Sequence, residues 1–371
     1  MWKRIVGAVT ALLSVFFAVL VLLLARPNDM IEFFAGIVGG SVPMMQLIFS
    51  VVALALFGVS RWVDAAPPLL VRIGHASVLA FIGLAVIGTS WREFSAYSRT
   101  TTDVMVDGSP RSATIYRPRG SSAEARPGVV IVHGSGNSKR GAYHFLARRF
   151  AEHGFVVLNV DKRGVGGSAG RYWGDDLEDG KVMALRAHET SVALETLAAL
   201  RGVDPKRIGV VTISQGGWVM SSLLDGTSRA QFAINISGPA VSPHEEGVWS
   251  RWTDENTDHF GVKPPPIPFE ELDRRMLAVP PKGFDPRANL AHMERPSLWL
   301  YGAWDSSLPV TKSIAVLDSL PTPNQVTWRL FPEANHGLFV VRGPNGNRMA
   351  SFAPGVWDTV FAWTARQGIR R

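Results

Sequence analysis

No cysteine occurs among the 371 residues, which excludes a disulfide scaffold, a thiol nucleophile and any cysteine-ligated metal. Charge is sparse as well: at 19% it sits below the ~25% usual in soluble proteins. With 46% hydrophobic residues, the chain has too much apolar matter to be intrinsically disordered. No internal repeat is visible, and no stretch concentrates basic residues. The net charge of +7 comes from isolated residues and short doublets such as Arg148-Arg149. Nucleic-acid binders gather Lys and Arg on a face or tail, so no nucleic-acid partner is expected. A mildly basic surface near anionic lipid fits better.

What the chain does have is long uncharged runs near its start. Residues 5–25 carry no charge, and neither do 33–60 or 73–91, the last with His75 as its one titratable group. Spanning a bilayer core takes about 20 such residues in a helix. The reading is a transmembrane module over 1–92, with about three spans near 5–25, 42–60 and 73–91. Trp62 and Trp91 stand at its span ends, where interfacial aromatics collect. A cleaved signal peptide fits poorly, because the first apolar core is too long and no small-residue cleavage site follows. Lys3, Arg4, Arg61 and Arg72 on the inner side, against Arg26, Arg92 and Arg99 outside, would leave the remainder on the extracytoplasmic side of a cytoplasmic membrane.

Beyond Ser98 the pattern changes. Apolar runs over 128–132, 155–160, 207–213, 232–237, 297–301 and 326–331 read as strands, several of them buried on both faces. Helical spacing lies between them, over 143–153, 182–200, 215–224, 311–320 and 356–367. Such alternation predicts an α/β domain over 103–371, its sheet mostly parallel with helices on both faces. Residues 241–290 break the rhythm with Pro264-Pro265-Pro266 and Pro280-Pro281. That insertion is long for a connecting loop and reads as a lid or cap, whose Trp249 and Trp252 could line an acyl pocket, face a membrane or simply pack the lid.

Three residues carry chemistry. Ser214, in Thr212-Ile213-Ser214-Gln215-Gly216-Gly217, stands between a buried strand and a helix, the setting of a nucleophile elbow. A serine hydroxyl needs a neighbouring base, and His336 lies just past the last strand. A histidine base needs an acid to orient it, and Asp305 follows the preceding strand; Asp285 is a rival, and Asp305 could instead cap a helix near Pro309. His133 reads as a loop-organising residue, and His144, His153 and His188 as surface or satisfied core groups. Asp175, Asp176, Glu178 and Asp179 read as a solvated loop, since no paired histidine accompanies them. No metal and no cofactor are required.

The order Ser214, Asp305, His336, each past the end of a strand, resembles that of the α/β-hydrolases with a serine triad. Further residues support the resemblance. His133-Gly134-Ser135-Gly136 resembles the oxyanion loop, and Asp161-Lys162-Arg163-Gly164-Val165-Gly166-Gly167-Ser168 the structural D-x-R-G-x-G-x-S turn. Asp204-Pro205-Lys206-Arg207-Ile208-Gly209 is similar to the dienelactone-hydrolase and prolyl-oligopeptidase-like branches. The resemblance implies Ser214 as nucleophile, His336 as base and Asp305 as orienting acid, with the backbone N–H groups of Ser135 and Gln215 as oxyanion donors. One departure stands out: Thr212 replaces the first glycine of G-x-S-x-G, which implies strain or a shifted helix. The expectation is a membrane-anchored serine hydrolase acting on carboxylic esters or thioesters. Its partners would be a small acyl substrate and the lipid membrane, with no obligate protein partner evident. A peptidase or amidase of similar fold is the same-class alternative. A non-catalytic hydrolase-like module on a membrane anchor is the alternative of another class.

Overall fold

The computed structural model describes residues 2–23, 42–63, 83, 95–120, 124–174, 180–224, 227–254, 265–321, 325–341 and 351–370. They fall into two compact units, Met1–Tyr97 and Ser98–Arg371. The expected span near 73–91 and the acidic run at 175–179 lie outside the described residues.

The first unit contains two helices, α1 (Trp2–Leu23) and α2 (Val42–Val63). They pack through small side chains: Ala18, Val21 and Ala53 are buried between them, with Phe17 and Phe49 alongside. The polar groups of the pair turn inward. Ser14 Oγ donates to the Ala53 carbonyl at 3.0 Å and Ser50 Oγ to the Gln46 carbonyl at 2.6 Å. Large apolar side chains such as Leu12, Phe16 and Val51 point out. Among the described residues no helix is long and apolar enough to cross a membrane. Lys3 and Arg4 lie in the first turn of α1 and Arg61 in the last turn of α2. Two of the three expected spans thus fall on described helices, and the third lies outside the described residues.

The second unit is built on an eight-stranded sheet. Its strands are β1 (Tyr97–Val106), β2 (Ser109–Pro118), β3 (Arg126–Val132), β4 (Val156–Val160), β5 (Val203–Ile213), β6 (Ala233–Ile236), β7 (Ser297–Gly302) and β8 (Val326–Phe331). They lie in the order β1-β2-β4-β3-β5-β6-β7-β8. From β4 to β8 every pairing is parallel, and β2 meets β4 antiparallel. β1 and β2 join through Asp107-Gly108, both at positive φ, a two-residue turn that matches the twist of a hairpin.

The intervening helices are α3 (His144–Glu152), α4 (Lys181–Ala198), α5 (Gly216–Ser221), α9 (Val310–Asp318) and α10 (Val356–Arg366). Successive residues Val129, Val130, Ile131 and Val132 of β3 are all buried. Because neighbouring strand residues face opposite ways, the sheet is covered on both sides, as the unbroken apolar runs required. α5 ends earlier than the spacing suggested, since Ser222 and Leu223 turn to the tighter i−3 pattern, donating to the Val219 and Met220 carbonyls. The region 241–290 holds α6 (Pro243–Trp252), α7 (Phe269–Met276) and α8 (Pro286–Leu290). Trp249, Leu272 and Met276 form its own small core, with Trp252 and Phe269 packed against it.

Candidate active site

Register alone brings the candidate residues to one edge. Val132 pairs with Thr212, Ile213 with Ile236, Ile236 with Leu300 and Gly302 with Phe331. The loops bearing His133-Gly134-Ser135, Ser214, Asp305 and His336 therefore all leave the carboxyl edge of the parallel strands. That edge is where open α/β sheets place their ligands.

Ser214 sits at φ +50°, a left-handed conformation that costs a non-glycine residue and marks a functional turn. Its N–H donates to the Ile236 carbonyl at 2.9 Å, and its own carbonyl accepts from Gly217 N at 2.8 Å, so the turn is held from both sides. The elbow needs small residues after it: a Cβ on Gly216 would stand 2.7 Å from the Val132 carbonyl oxygen. Thr212, expected to strain the turn, is fully buried and donates its hydroxyl to Asn235 Oδ1 at 2.8 Å. The side chain that replaces glycine thus ties β5 to β6.

Asp305 and His336 are in direct contact. His336 Nδ1 lies 2.8 and 3.0 Å from the two Asp305 carboxylate oxygens. Facing acceptors on that side, Nδ1 carries the proton, which leaves Nε2 the basic nitrogen. Asp305 is fully buried and also accepts from Ser307 N at 2.8 Å and Leu308 N at 3.0 Å. The helix Val310–Asp318 takes Pro309 as its N-cap with no side-chain cap, so Asp305 braces the loop before it and does not cap it. Asp285, the rival acid, caps α8 by accepting from Arg287 N at 3.1 Å. The two loops can meet because β7 ends in glycine: a Cβ on Gly302 would fall 2.3 Å from the Asn335 carbonyl oxygen.

The oxyanion loop reaches the elbow. A Cβ on Gly134 would stand 3.3 Å from Ser214 Cβ, so Ser135, the next residue, is exposed beside the nucleophile candidate. Gln215, which follows Ser214, precedes the first residue of α5. His133 is buried, donates through Nε2 to Asn159 Oδ1 at 2.7 Å and stacks on Tyr143 at 3.9 Å. Burial pushes its pKa down to about 3, helped by the charges of Lys162, Arg186 and Arg140 and opposed by the bond to Asn159. It is neutral near pH 7 and organises its loop. The other histidines are likewise engaged: His144 with Tyr116 Oη at 3.1 Å, His153 with the Arg149 carbonyl at 2.7 Å and His188 with Asp107 at 3.1 Å.

Two features escaped the sequence reading. The first is that the 241–290 insertion grips the loop of Asp305. From α6, Trp249 Nε1 donates to the Asp305 carbonyl at 3.1 Å, Ser250 Oγ to the Ser307 carbonyl at 2.9 Å and Thr253 Oγ1 to the Ser306 carbonyl at 2.5 Å. α6 itself starts on a capping box between Ser242 and Glu245, a signal present in the sequence as S-P-H-E. Glu245 is fully buried and pairs with Arg287 and Lys312, each at 2.7 Å. Burial alone would raise its pKa, but Arg287, Lys312 and Ser242 overcome that and hold it at about 2. The second is that Lys162 and Arg186, with His133, line a cavity of about 50 Å³ behind the oxyanion loop, and both bind that loop's carbonyls. Among the described residues no cluster of three or more His, Asp or Glu could hold a metal ion.

Comparison with known proteins bears on the fold. Residues 123–264 match the family model described as serine aminopeptidase, S33; that segment contains the oxyanion loop and the elbow but neither Asp305 nor His336. A probable dipeptidyl-aminopeptidase B of Colletotrichum graminicola is 24% identical over 229 residues, 57% of this chain and 21% of that protein. The chain thus spans about a fifth of that relative's length. A monoacylglycerol lipase of Mycolicibacterium smegmatis is 25% identical over 240 residues, 57% of this chain and 81% of the lipase. Among solved structures, a putative dienelactone hydrolase from Klebsiella pneumoniae superposes with a TM-score of 0.51 at 18% identity, over 73% of this chain and 99% of that one. The second unit has the α/β-hydrolase fold, and Ser214, Asp305 and His336 all lie just past the carboxyl ends of its parallel strands.

Proposed function

We propose that the protein is a serine hydrolase of carboxylic esters, acting through an acyl-enzyme on Ser214. The observation that carries this reading is the contact of buried Asp305 with half-buried His336 at the sheet edge that also bears Ser214 at φ +50°. Ser214 Oγ attacks the ester carbonyl while His336 Nε2 takes its proton. Asp305 holds the ring in the required tautomer and stabilises the imidazolium that forms. The tetrahedral oxyanion is met by the backbone N–H groups of Ser135 and Gln215, each donor worth ~3 kcal/mol in such sites. Collapse breaks the ester C–O bond, and His336 returns the proton to the departing alcohol. Water, deprotonated by His336, then releases the acid and restores Ser214. No cofactor enters.

Esters are favoured over amides because the lipase relative is matched over most of its length, whereas the peptidase relative is matched over a fifth. Peptide hydrolysis is the second reading, favoured by the family model over 123–264. A pure binding module would have no use for a strained serine on the same sheet edge as an Asp–His pair with a buried acid.

The N-terminal unit is read as a lipid anchor. Its polar side chains bond within the helix pair while Leu12, Phe16 and Val51 face outward, an arrangement suited to lipid rather than water. The uncharged runs 5–25 and 33–60 extend past both helices in the sequence. With the third span expected over 73–91, this reading puts the hydrolase unit at the outer face of a cytoplasmic membrane.

Labelling membrane and soluble fractions with a fluorophosphonate probe tests both parts. A band in the membrane fraction of the wild type, absent in Ser214→Ala and His336→Ala, is expected. An ester, thioester and anilide panel then ranks substrates. A folded wild type that takes no label would overturn the catalytic reading, and label confined to the soluble fraction would overturn the anchor.

A further inference from the structure

We infer that Lys162, assisted by Arg186, is a positioning residue that sets and polarises the peptide group donating to the oxyanion. The inference rests on the serine-hydrolase reading above and assigns a role to a residue that the D-x-R-G pattern leaves open. Lys162 Nζ donates to the Gly134 carbonyl at 2.6 Å and also to the Gly136 carbonyl. Arg186 Nη2 donates to the same Gly134 carbonyl at 3.3 Å and to that of His133 at 2.9 Å.

The Gly134 carbonyl and the Ser135 N–H belong to one peptide unit. A peptide is planar and, with no cis bond among the described residues, its C=O and N–H point in opposite directions. Fixing the carbonyl on two cations therefore fixes the direction of the Ser135 N–H away from them. The preceding peptide is fixed as well, since Gly134 N donates to Tyr143 Oη at 3.0 Å. A charged donor on the carbonyl also draws electron density across the amide and strengthens its N–H as a donor. The base of the device is rigid: Asp161, next to Lys162, is buried and binds the Arg140 side chain and backbone. Lys162 is itself steered by the Tyr172 ring, 5.7 Å away.

A residue acting this way should affect the transition state and spare ground-state binding. The test compares Lys162→Met and Lys162→Arg with Arg163→Met, which removes a neighbouring charge that pairs with Glu189 instead. Steady-state hydrolysis of p-nitrophenyl butyrate, inhibition by a boronic acid that mimics the tetrahedral intermediate, and amide exchange of residues 134–137 are measured on the full chain. Removing a whole oxyanion donor costs about a hundredfold or more, so loss of its support is expected to cost roughly tenfold to a hundredfold in kcat. KM should stay within about twofold, and boronate affinity should fall in proportion to kcat. Arginine should restore part of the rate, Arg163→Met should behave as wild type, and exchange over 134–137 should quicken in Lys162→Met. An active wild type whose Lys162→Met variant keeps its kcat overturns the inference alone. So does a loss shared equally by Arg163→Met. A wild type that neither labels nor hydrolyses fails the serine-hydrolase reading and takes this inference with it. Should Lys162→Met not fold, Lys162→Gln against Lys162→Arg decides: equal rates overturn the inference, and a faster arginine variant supports it.

Discussion

The two halves of the candidate site are held by opposite means. The oxyanion loop is gripped through its carbonyls by two cations, Lys162 and Arg186. The acid's loop is gripped by neutral donors of the lid, Trp249, Ser250 and Thr253, and by the backbone N–H groups of Ser307 and Leu308. On the mechanism proposed above, the difference follows from what each half must present. Anion stabilisation needs N–H groups pointing at the substrate, so the carbonyls behind them must be satisfied by donors, and charged donors help most. The acid must keep its negative charge for the imidazolium. A cation bonded to Asp305 would compete with His336, whereas neutral N–H groups stabilise the carboxylate without taking over that role.

The sharpest way to break the comparison is to neutralise the acid. Asp305→Asn keeps the shape but faces His336 Nδ1 with an amide and favours the wrong tautomer. A fall in kcat on the order of 10⁴ is expected, checked by steady-state hydrolysis; a loss below tenfold would assign the orienting role elsewhere. Next comes the lid. Glu245→Gln removes the charge that Arg287 and Lys312 share, and breaking a buried pair costs about 3 kcal/mol even where a polar atom remains. Urea unfolding of the variant measures it. The same pair sets an acid limit. With its folded pKa near 2 against an ordinary 4.5, Glu245 contributes stability that is complete above about pH 4.5. That contribution drains as pH falls toward 2. Wild-type stability should therefore fall across that window more steeply than that of Glu245→Gln. The smallest effect is expected on the elbow side. Thr212→Val leaves the buried Asn235 Oδ1 without its hydroxyl donor, at about 1–2 kcal/mol, while Thr212→Ser should be near neutral. A Thr212→Val variant of unchanged stability would show that the hydroxyl does not brace the elbow.

Much of this was legible in the sequence because it is carried by local signals. Unbroken apolar runs marked the central strands, and the order of Ser214, Asp305 and His336 after successive strands marked the site. Distance along the chain hid the rest. Trp249 reaches Asp305 across 56 residues, and Lys162 reaches Gly134 across 28. Nothing in the immediate neighbourhood of either residue signals its partner. The D-x-R-G turn was read as structural, yet the residue at its open position contacts the oxyanion loop. The expected strain at Thr212 was a steric inference from side-chain size, and it overlooked the hydrogen bond that a β-branched hydroxyl can make to the adjacent strand.

Gly302 lets the last two loops close on each other, and its place in the chain has a consequence in time. His336 follows Ser214 by 122 residues, roughly 6–24 s of synthesis at 5–20 residues per second. Through that interval a nascent chain can build β3, β5 and β6 around the elbow while the histidine that would activate its serine has yet to be translated. On the proposed mechanism reactivity then waits on translation: a growing chain holds a serine without its base until the sheet's last strand has been made.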